Sequence, residues 1–272
     1  MQYPVTAIIG AGNMATAVIA GLIESGYPAD KIIAANRGQE KLQALSSKFG
    51  IGTTQNNRQA VQDAEVVILA VKPAVIKTVC TEIAEDIEQQ LILSLAAGKK
   101  ISTIKKYLDC NGPVIRAMPN TPCLLSKGTT GLFAEPQVSQ TNRDFVTSLF
   151  SNIGEVVWLD SEIQIDVVTA LSGSGPAYYF YLAEAMIKAG VELGLDEAIS
   201  QKLVNQTALG SAAMLTNQPV TSAKDLRKAV TSPNGTTEAA TNLFDKNELM
   251  KIIINGVRAG TNRGTEISNE SE

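Results

Sequence analysis

Gly10, Gly12 and Ala15 stand at GxGxxA spacing within the stretch Val5 to Arg37, VTAIIGAGNMATAVIAGLIESGYPADKIIAANR. An apolar run, Val5 to Ile9, precedes them and a helical pattern, Met14 to Ser25, follows, so the stretch predicts strand, turn and helix. Each small residue has a physical task there. Gly10 permits the tight turn, Gly12 lets the backbone approach a pyrophosphate, and Ala15, in place of a third glycine, still lets the helix pack on the strand. The helix start presents unpaired N–H groups and a positive dipole end to that anion. A second strand, Ile32 to Ala35, ends at Asn36 and Arg37, where a dinucleotide-binding unit meets the adenosine ribose. An acid there would accept from a ribose 2′-hydroxyl, whereas an amide and a guanidinium suit a 2′-phosphate. The residues therefore predict a nucleotide site that takes NADPH, with NADH bound more weakly.

A second set of polar groups lies at Thr231-Ser232-Pro233-Asn234-Gly235-Thr236-Thr237-Glu238. This turn opens another helix, and two readings are open: its N–H groups and hydroxyls hold a small carboxylate, or the hydroxyls simply cap the helix. Ser172-Gly173-Ser174-Gly175-Pro176 lacks the lysine of a phosphate loop and is read as a tight helix start with proline in the first turn. The 272 residues contain no histidine, which removes Ser-His-Asp and Cys-His catalysis and histidine-ligated zinc. Cys80, Cys110 and Cys123 lack CxxC spacing and read as buried thiols, so neither a disulfide framework nor a metal site is expected. Hydride transfer from a reduced nicotinamide suits such a chain, because the cofactor carries the reactive bond and the protein orients the reactants.

These groups need a scaffold. Val66 to Val71, Leu91 to Leu95 and Val114 to Ala117 are continuous apolar runs of the kind buried on both faces of a parallel sheet. They stop at Lys72-Pro73, at Ala96-Ala97-Gly98 and at Met118-Pro119-Asn120-Thr121-Pro122. Short helices at Glu40 to Lys48 and Asn56 to Asp63, with a brief edge strand at Gly50 to Thr53, fill the first half. The alternation predicts an α/β fold with an N-terminal Rossmann-type, doubly wound, mostly parallel sheet, its ligands at the carboxyl ends of the strands. All three loops fall at that edge. Gly128 to Phe133 and Glu155 to Trp158, on either side of a helix near Asn142 to Phe150, complete the sheet.

Near Asp160 the composition changes, giving a dinucleotide-binding domain at 1–160 and an all-α domain at 161–272. One helix of that domain, Ala177 to Leu193, has charges only at Glu184, Lys188 and Glu192. Being apolar on nearly every side, it needs cover from a second copy, which predicts a homodimer and leaves a higher homo-oligomer open. Further helices are expected at Asp196 to Leu215, Ala223 to Val230, through Phe244, and from Asn247 towards Arg263, with a frayed tail at Ser268 to Glu272. At net charge −4 the chain is not basic enough for nucleic acid. No charged leader and no apolar segment of membrane-spanning length stand out, so a cytoplasmic protein is expected.

Taken together, IGAGNMA, AVKP at 70–73, AAGK at 96–99, RAMPNTP at 116–122, ALSGSGPAY at 170–178 and LRKAVTSPNGTT at 226–237 resemble the pyrroline-5-carboxylate reductase family nearly end to end. The resemblance implies a dinucleotide-binding domain followed by a helical dimerisation domain, and NADPH-dependent reduction of 1-pyrroline-5-carboxylate to L-proline, the last step of proline biosynthesis. It assigns cofactor contacts to Gly10, Ala11, Gly12, Asn13, Met14, Ala15, Asn36, Arg37, Asn57, Ala70, Val71, Lys72, Pro73, Ala96, Ala97 and Gly98. It assigns the substrate carboxylate to the turn of Ser232, Gly235, Thr236 and Thr237, with the Thr237 hydroxyl reaching the ring nitrogen as the catalytic group. Asn234 stands where many members have glycine; asparagine tolerates the left-handed backbone, so the turn is expected to survive. Two other readings remain: a 3-hydroxyacid dehydrogenase-like oxidoreductase with a positioned lysine, and a protein that binds NADPH without turnover.

Overall fold

A computed structural model describes residues 3–217 and 221–269. The chain divides into two compact units, Met1–Ser174 with Ala259–Glu272, and Gly175–Arg258.

The first unit is built on eight strands: β1 (Thr6–Ile9), β2 (Ile32–Ala35), β3 (Gly52–Thr54), β4 (Val66–Leu69), β5 (Leu91–Ser94), β6 (Val114–Met118), β7 (Gly128–Ala134) and β8 (Gly154–Trp158). They lie in the order β3-β2-β1-β4-β5-β6-β7-β8. Strand order reverses between β1 and β4, and such a switch point opens a crevice at the carboxyl ends. Every residue of β1, β4 and β5 is buried. The cause is the two-residue alternation of strand side chains with helices on both faces. Ile8, Ile68, Leu93 and Ile115 point to one face and pack with Val18 and Leu22 of α1 (Asn13–Glu24), Leu42 and Leu45 of α2 (Gln39–Phe49), and Val146 and Phe150 of α6 (Gln140–Ser151). Ile9, Val67, Leu69 and Ile92 point to the other, against Val61 of α3 (Asn57–Val61), Val79 and Ile83 of α4 (Ile76–Ile83), and Ile104 and Leu108 of α5 (Ile101–Leu108). Each such side chain contributes about 1.5–3 kcal/mol on burial, enough to fix the register of the central strands.

The first six strands run parallel. β7 then runs antiparallel to β6, and β8 parallel to β7. The link after β6 holds only a 3-10 turn, Thr121–Leu125, where a parallel crossover would need a helix. A helix, α6, does connect β7 to β8.

The composition change at Asp160 does not mark the limit of this unit, which runs on to Ser174. Helix α7 (Gln164–Val168) buries Ile165, and Val168 lies where a Cβ on Gly131 of β7 would meet its Cγ1 at 2.7 Å. A π-helical turn, Thr169–Gly173, then leads into α8 (Gly175–Glu192). Met118 Cε would stand 2.7 Å from a Cβ on Gly173, so the SGSGP segment is a closely packed helix start, as its sequence suggested.

The second unit holds α8, α9 (Glu197–Asn217), α10 (Ala223–Ala229), α11 (Thr236–Lys246) and the first part of α12 (Leu249–Asn269). Tyr179, Phe180 and Tyr181 of α8 are 71%, 69% and 76% exposed in the single chain. Three bare aromatics thus follow one another along this helix. The frayed tail expected at Ser268 is corrected: α12 continues to Asn269, and Ser268 is buried. Its hydroxyl and that of Thr265 donate to the buried carboxylate of Asp166, at 3.2 and 3.3 Å, and so hold the last turns. Residues 270–272 of that expected tail lie outside the described residues.

Candidate active site

Some helix starts are capped by their own N-cap side chain: Asn56 Oδ1 accepts from Gln59 N at α3, Ser139 Oγ from Asn142 N at α6, and Ser222 Oγ from Asp225 N at α10. Others lack such a cap, and three of these have glycine as the N-cap. At α1, α2 and α11 the N-cap is Gly12, Gly38 or Gly235, with no side-chain cap. The first is the start the sequence marks for the pyrophosphate, the second follows directly on Asn36 and Arg37, and the third is the turn read either as a carboxylate site or as plain capping. Their first N–H groups have no intrahelical acceptor.

At the first of them the ends of β1, β2 and β4 converge. Gly10 N donates to Ala35 O at 2.7 Å, and Ala70 N to Ile9 O at 2.9 Å. Gly10 has φ +113°, and a Cβ on it would stand 2.6 Å from Ala70 O. Glycine is therefore required by the backbone. Gly12 differs, because a Cβ there would meet nothing within 4 Å. The space beside it is open, and helix α1 begins there with no acidic residue in its first turn. Ala15 is fully buried against the sheet, Met14 is half-buried and Asn13 is exposed. Ala11 is buried with the core beneath α1.

Asn36, Arg37, Gly10, Asn57 and Val71 line one cavity of about 170 Å³. Its lining includes no acid. Asn36 Nδ2 donates to Gly38 O at 3.1 Å, which braces the turn into α2. The Arg37 carbonyl accepts from Gln55 Nε2 at 2.8 Å, while its exposed guanidinium makes no ion pair among the described residues. Asn57 is buried, held by its Nδ2 on Glu82 Oε2 at 3.0 Å. The open Gly12 cradle and the acid-free pocket with its guanidinium fit a dinucleotide carrying a 2′-phosphate.

Further along the carboxyl edge, Ala70 and Val71 are half-buried, Lys72 is exposed, and Pro73 opens a 3-10 turn, Pro73–Val75. Ala96 and Gly98 are buried and Ala97 is half-buried; Gly98 has φ +65°. In the MPNTP loop, Asn120 Nδ2 donates to Ser172 O at 3.1 Å and its Oδ1 accepts from Thr129 N at 2.9 Å.

In the second unit, Asn234 adopts φ +59°, so the left-handed turn survives without glycine there. Gly235 N donates to Ser232 O at 3.0 Å, and the first helical bond of α11 runs from Ala239 N to Gly235 O at 3.1 Å. N–H groups of Thr236 and Thr237 precede that bond. Gly235 is the N-cap of α11, with no side-chain cap, and Thr236 and Thr237 take the first two helical positions. Thr237 is half-buried and Thr236 exposed. An unforeseen group is Glu238, whose Oε2 accepts from Asn234 N at 2.8 Å and holds the turn from within.

Burial pushes the Cys80 thiol up to about 12, with Cys110 nearby adding to the rise. Cys123 is raised by burial as well. Two groups had escaped sequence reading altogether. Arg116 in β6 is 3% exposed and donates through Nη1 to Glu162 Oε1 at 2.9 Å. The same oxygen accepts from Ile101 N, at the start of α5, at 2.7 Å.

Comparison with known proteins bears on these sites. Residues 162–267 match the family model described as pyrroline-5-carboxylate reductase dimerisation, and residues 5–98 that described as NADP oxidoreductase, coenzyme F420-dependent. The chain is 44% identical to a pyrroline-5-carboxylate reductase of Pseudomonas aeruginosa over 271 residues, 99% of each chain. It is 40% identical to the one from Haemophilus influenzae over 98% of each. Among solved structures, a pyrroline-5-carboxylate reductase from Coxiella burnetii superposes with a TM-score of 0.92 at 40% identity, over 98% of this chain and 99% of that one. A Plasmodium falciparum pyrroline carboxylate reductase, solved with NADP bound, shares the fold with a TM-score of 0.87 at 24% identity, over 98% of this chain and 99% of that one.

Proposed function

This chain belongs to the pyrroline-5-carboxylate reductase family, and from that premise we propose that it reduces the C=N bond of 1-pyrroline-5-carboxylate to give L-proline, the last step of proline biosynthesis. When bound, NADPH supplies the hydride from C4 of its nicotinamide. The chain's own task is to hold and orient. Gly10, Ala11, Gly12, Asn13, Met14 and Ala15 receive the pyrophosphate, with Asn36 and Arg37 at the 2′-phosphate. Asn57, Ala70, Val71, Lys72, Pro73, Ala96, Ala97 and Gly98 line the rest.

The observation that carries the substrate reading is the start of α11, where a glycine cap and two unspent threonine hydroxyls leave N–H groups for a small carboxylate. Ser232, Gly235, Thr236 and Thr237 form that turn, and the Thr237 hydroxyl hydrogen-bonds the ring nitrogen. The protonated iminium form of the substrate carries its own proton and has the more electrophilic carbon. Hydride addition then leaves the neutral ring amine, with no histidine required.

Region 161–272 acts as dimerisation and substrate domain, and its bare α8 aromatics support a homodimer. No helix among the described residues is long and apolar enough to cross a membrane, and we place the protein in the cytoplasm. The test is a loss of reduced-nicotinamide absorbance when 1-pyrroline-5-carboxylate is added with NADPH. NADPH binding without that loss refutes the proposal, and so does oxidation of 3-hydroxyacids with NADP in its place.

A further inference from the structure

The loop Ala96 to Lys100, which follows β5 and leads into α5, is held from elements far away in sequence. At its end, Glu162 Oε1 accepts from Ile101 N at 2.7 Å, taking one of the donors that α5 leaves unpaired. That oxygen is itself fixed by Arg116 Nη1 at 2.9 Å. At its middle, a Cβ on Gly98 would stand 2.5 Å from Ile267 Cγ2, so the last turns of α12 lie directly on the loop. Beside it, Lys100 Nζ donates to Asn269 Oδ1 at 3.2 Å. Those last turns are anchored in turn by Thr265 and Ser268 on Asp166, four residues beyond Glu162.

We infer that Glu162 and the C-terminal turns of α12 act as a clamp that positions the Ala96–Gly98 loop for the cofactor, with Glu162 and Ile267 as positioning residues. The inference rests on the reading above that this loop lines the dinucleotide. Two features separate a clamp from ordinary packing. Gly98 sits at φ +65°, one of several conformations open to glycine, and the three atoms nearest a Cβ there all belong to Ile267. Arg116 is buried, its Nη2 has no hydrogen-bond partner among the described residues, and its Nη1 pairs with Glu162. Such a side chain fixes the carboxylate in one place, and the carboxylate fixes the first turn of α5.

The experiment uses the full chain. Amide hydrogen exchange of residues 96–101 with and without NADPH comes first; if NADPH leaves these amides unprotected, the cofactor reading of the loop and the clamp both fall. Given protection, Glu162→Ala and Ile267→Ala are expected to reduce it and to raise KM for NADPH about three- to tenfold, while KM for 1-pyrroline-5-carboxylate stays within about twofold. Glu162→Gln keeps an oxygen acceptor for Ile101 N but removes the carboxylate that faces the buried Arg116, and is expected to fall between wild type and Glu162→Ala in KM for NADPH. If Glu162→Ala does not fold, Ile267→Ala decides. A protected loop with KM for NADPH unchanged, or with both KM values raised alike, overturns the clamp and leaves the cofactor reading standing.

Discussion

Gly10 and Gly12 sit two residues apart in one turn, and substituting each by alanine separates fold from function. At Gly12 the backbone is in an ordinary extended region, φ −89°, and the added methyl meets nothing within 4 Å. Alanine is a poorer N-cap than glycine, but it also restricts the unfolded chain, so the two effects offset and stability changes by about 1 kcal/mol or less. The methyl nevertheless fills the space through which the backbone reaches the pyrophosphate. Losing one N–H bond to that charged group costs about 1.5–3 kcal/mol, so Gly12→Ala weakens NADPH about 10- to 150-fold. At Gly10 the order reverses. Alanine must hold φ +113° with its Cβ 2.6 Å from Ala70 O, and the backbone strain alone costs about 1–3 kcal/mol of folding. Urea unfolding of the cofactor-free protein and NADPH fluorescence titration give the two quantities separately. A Gly12→Ala protein that binds NADPH as the wild type does would mean that the pyrophosphate does not lie beside Gly12.

Arg37→Ala is expected to weaken NADPH about 10- to 150-fold and NADH hardly at all, since only the former brings a 2′-phosphate; equal losses in parallel titrations would refute this. Thr237→Ala should lower kcat/KM about five- to 150-fold with NADPH affinity unchanged and Thr237→Ser should restore most of it, whereas greater damage from Thr236→Ala would move the role to its neighbour. Met186→Glu, on the apolar surface of α8, should yield aggregate or inactive monomer, and a wild-type protein that sediments as an active monomer would remove the basis for a homodimer. Because the unfolded chain releases the Cys80 proton near pH 9.0 and the folded chain only near about 12, this thiol's contribution to stability is full below pH 9.0 and is lost as pH rises towards 12. Iodoacetamide on the native protein at neutral pH should leave Cys80 unlabelled, as read by peptide mass.

The parts of the fold that sequence reveals are those in which local pattern and burial agree. Val66 to Leu69 and Leu91 to Leu93 read as central strands because helices cover both faces and the side chains there are all apolar. Gly10 reads as a turn residue because its backbone, at φ +113° with Ala70 O close by, requires glycine, whereas nothing in the chain itself requires one at Gly12. The reversal at β7 was not legible, since Thr121–Leu125 shows only as loop residues and chain direction depends on what the link can span. Nor could local sequence choose between capping and an anion site at Thr236 and Thr237. Both uses draw on the same glycine cap and the same free N–H groups, so residue types alone do not separate them.

The last helix shows why the remainder stayed hidden. Its apolar period weakens beyond Arg263, where Gly264, Thr265 and Ser268 follow, and a pattern that equates core with apolar residues ends the helix there. Yet Ser268 is 1% exposed, because a buried carboxylate, Asp166, supplies the acceptor that makes a hydroxyl affordable inside. Glu162 does the same for a backbone N–H of α5 and for Arg116. Both carboxylates act on partners tens of residues away, so no spacing within a window of sequence betrays them. A polar residue near the end of a chain is thus ambiguous by type alone. What decides between a solvated tail and a buried support is whether a partner of opposite hydrogen-bonding sense is folded against it.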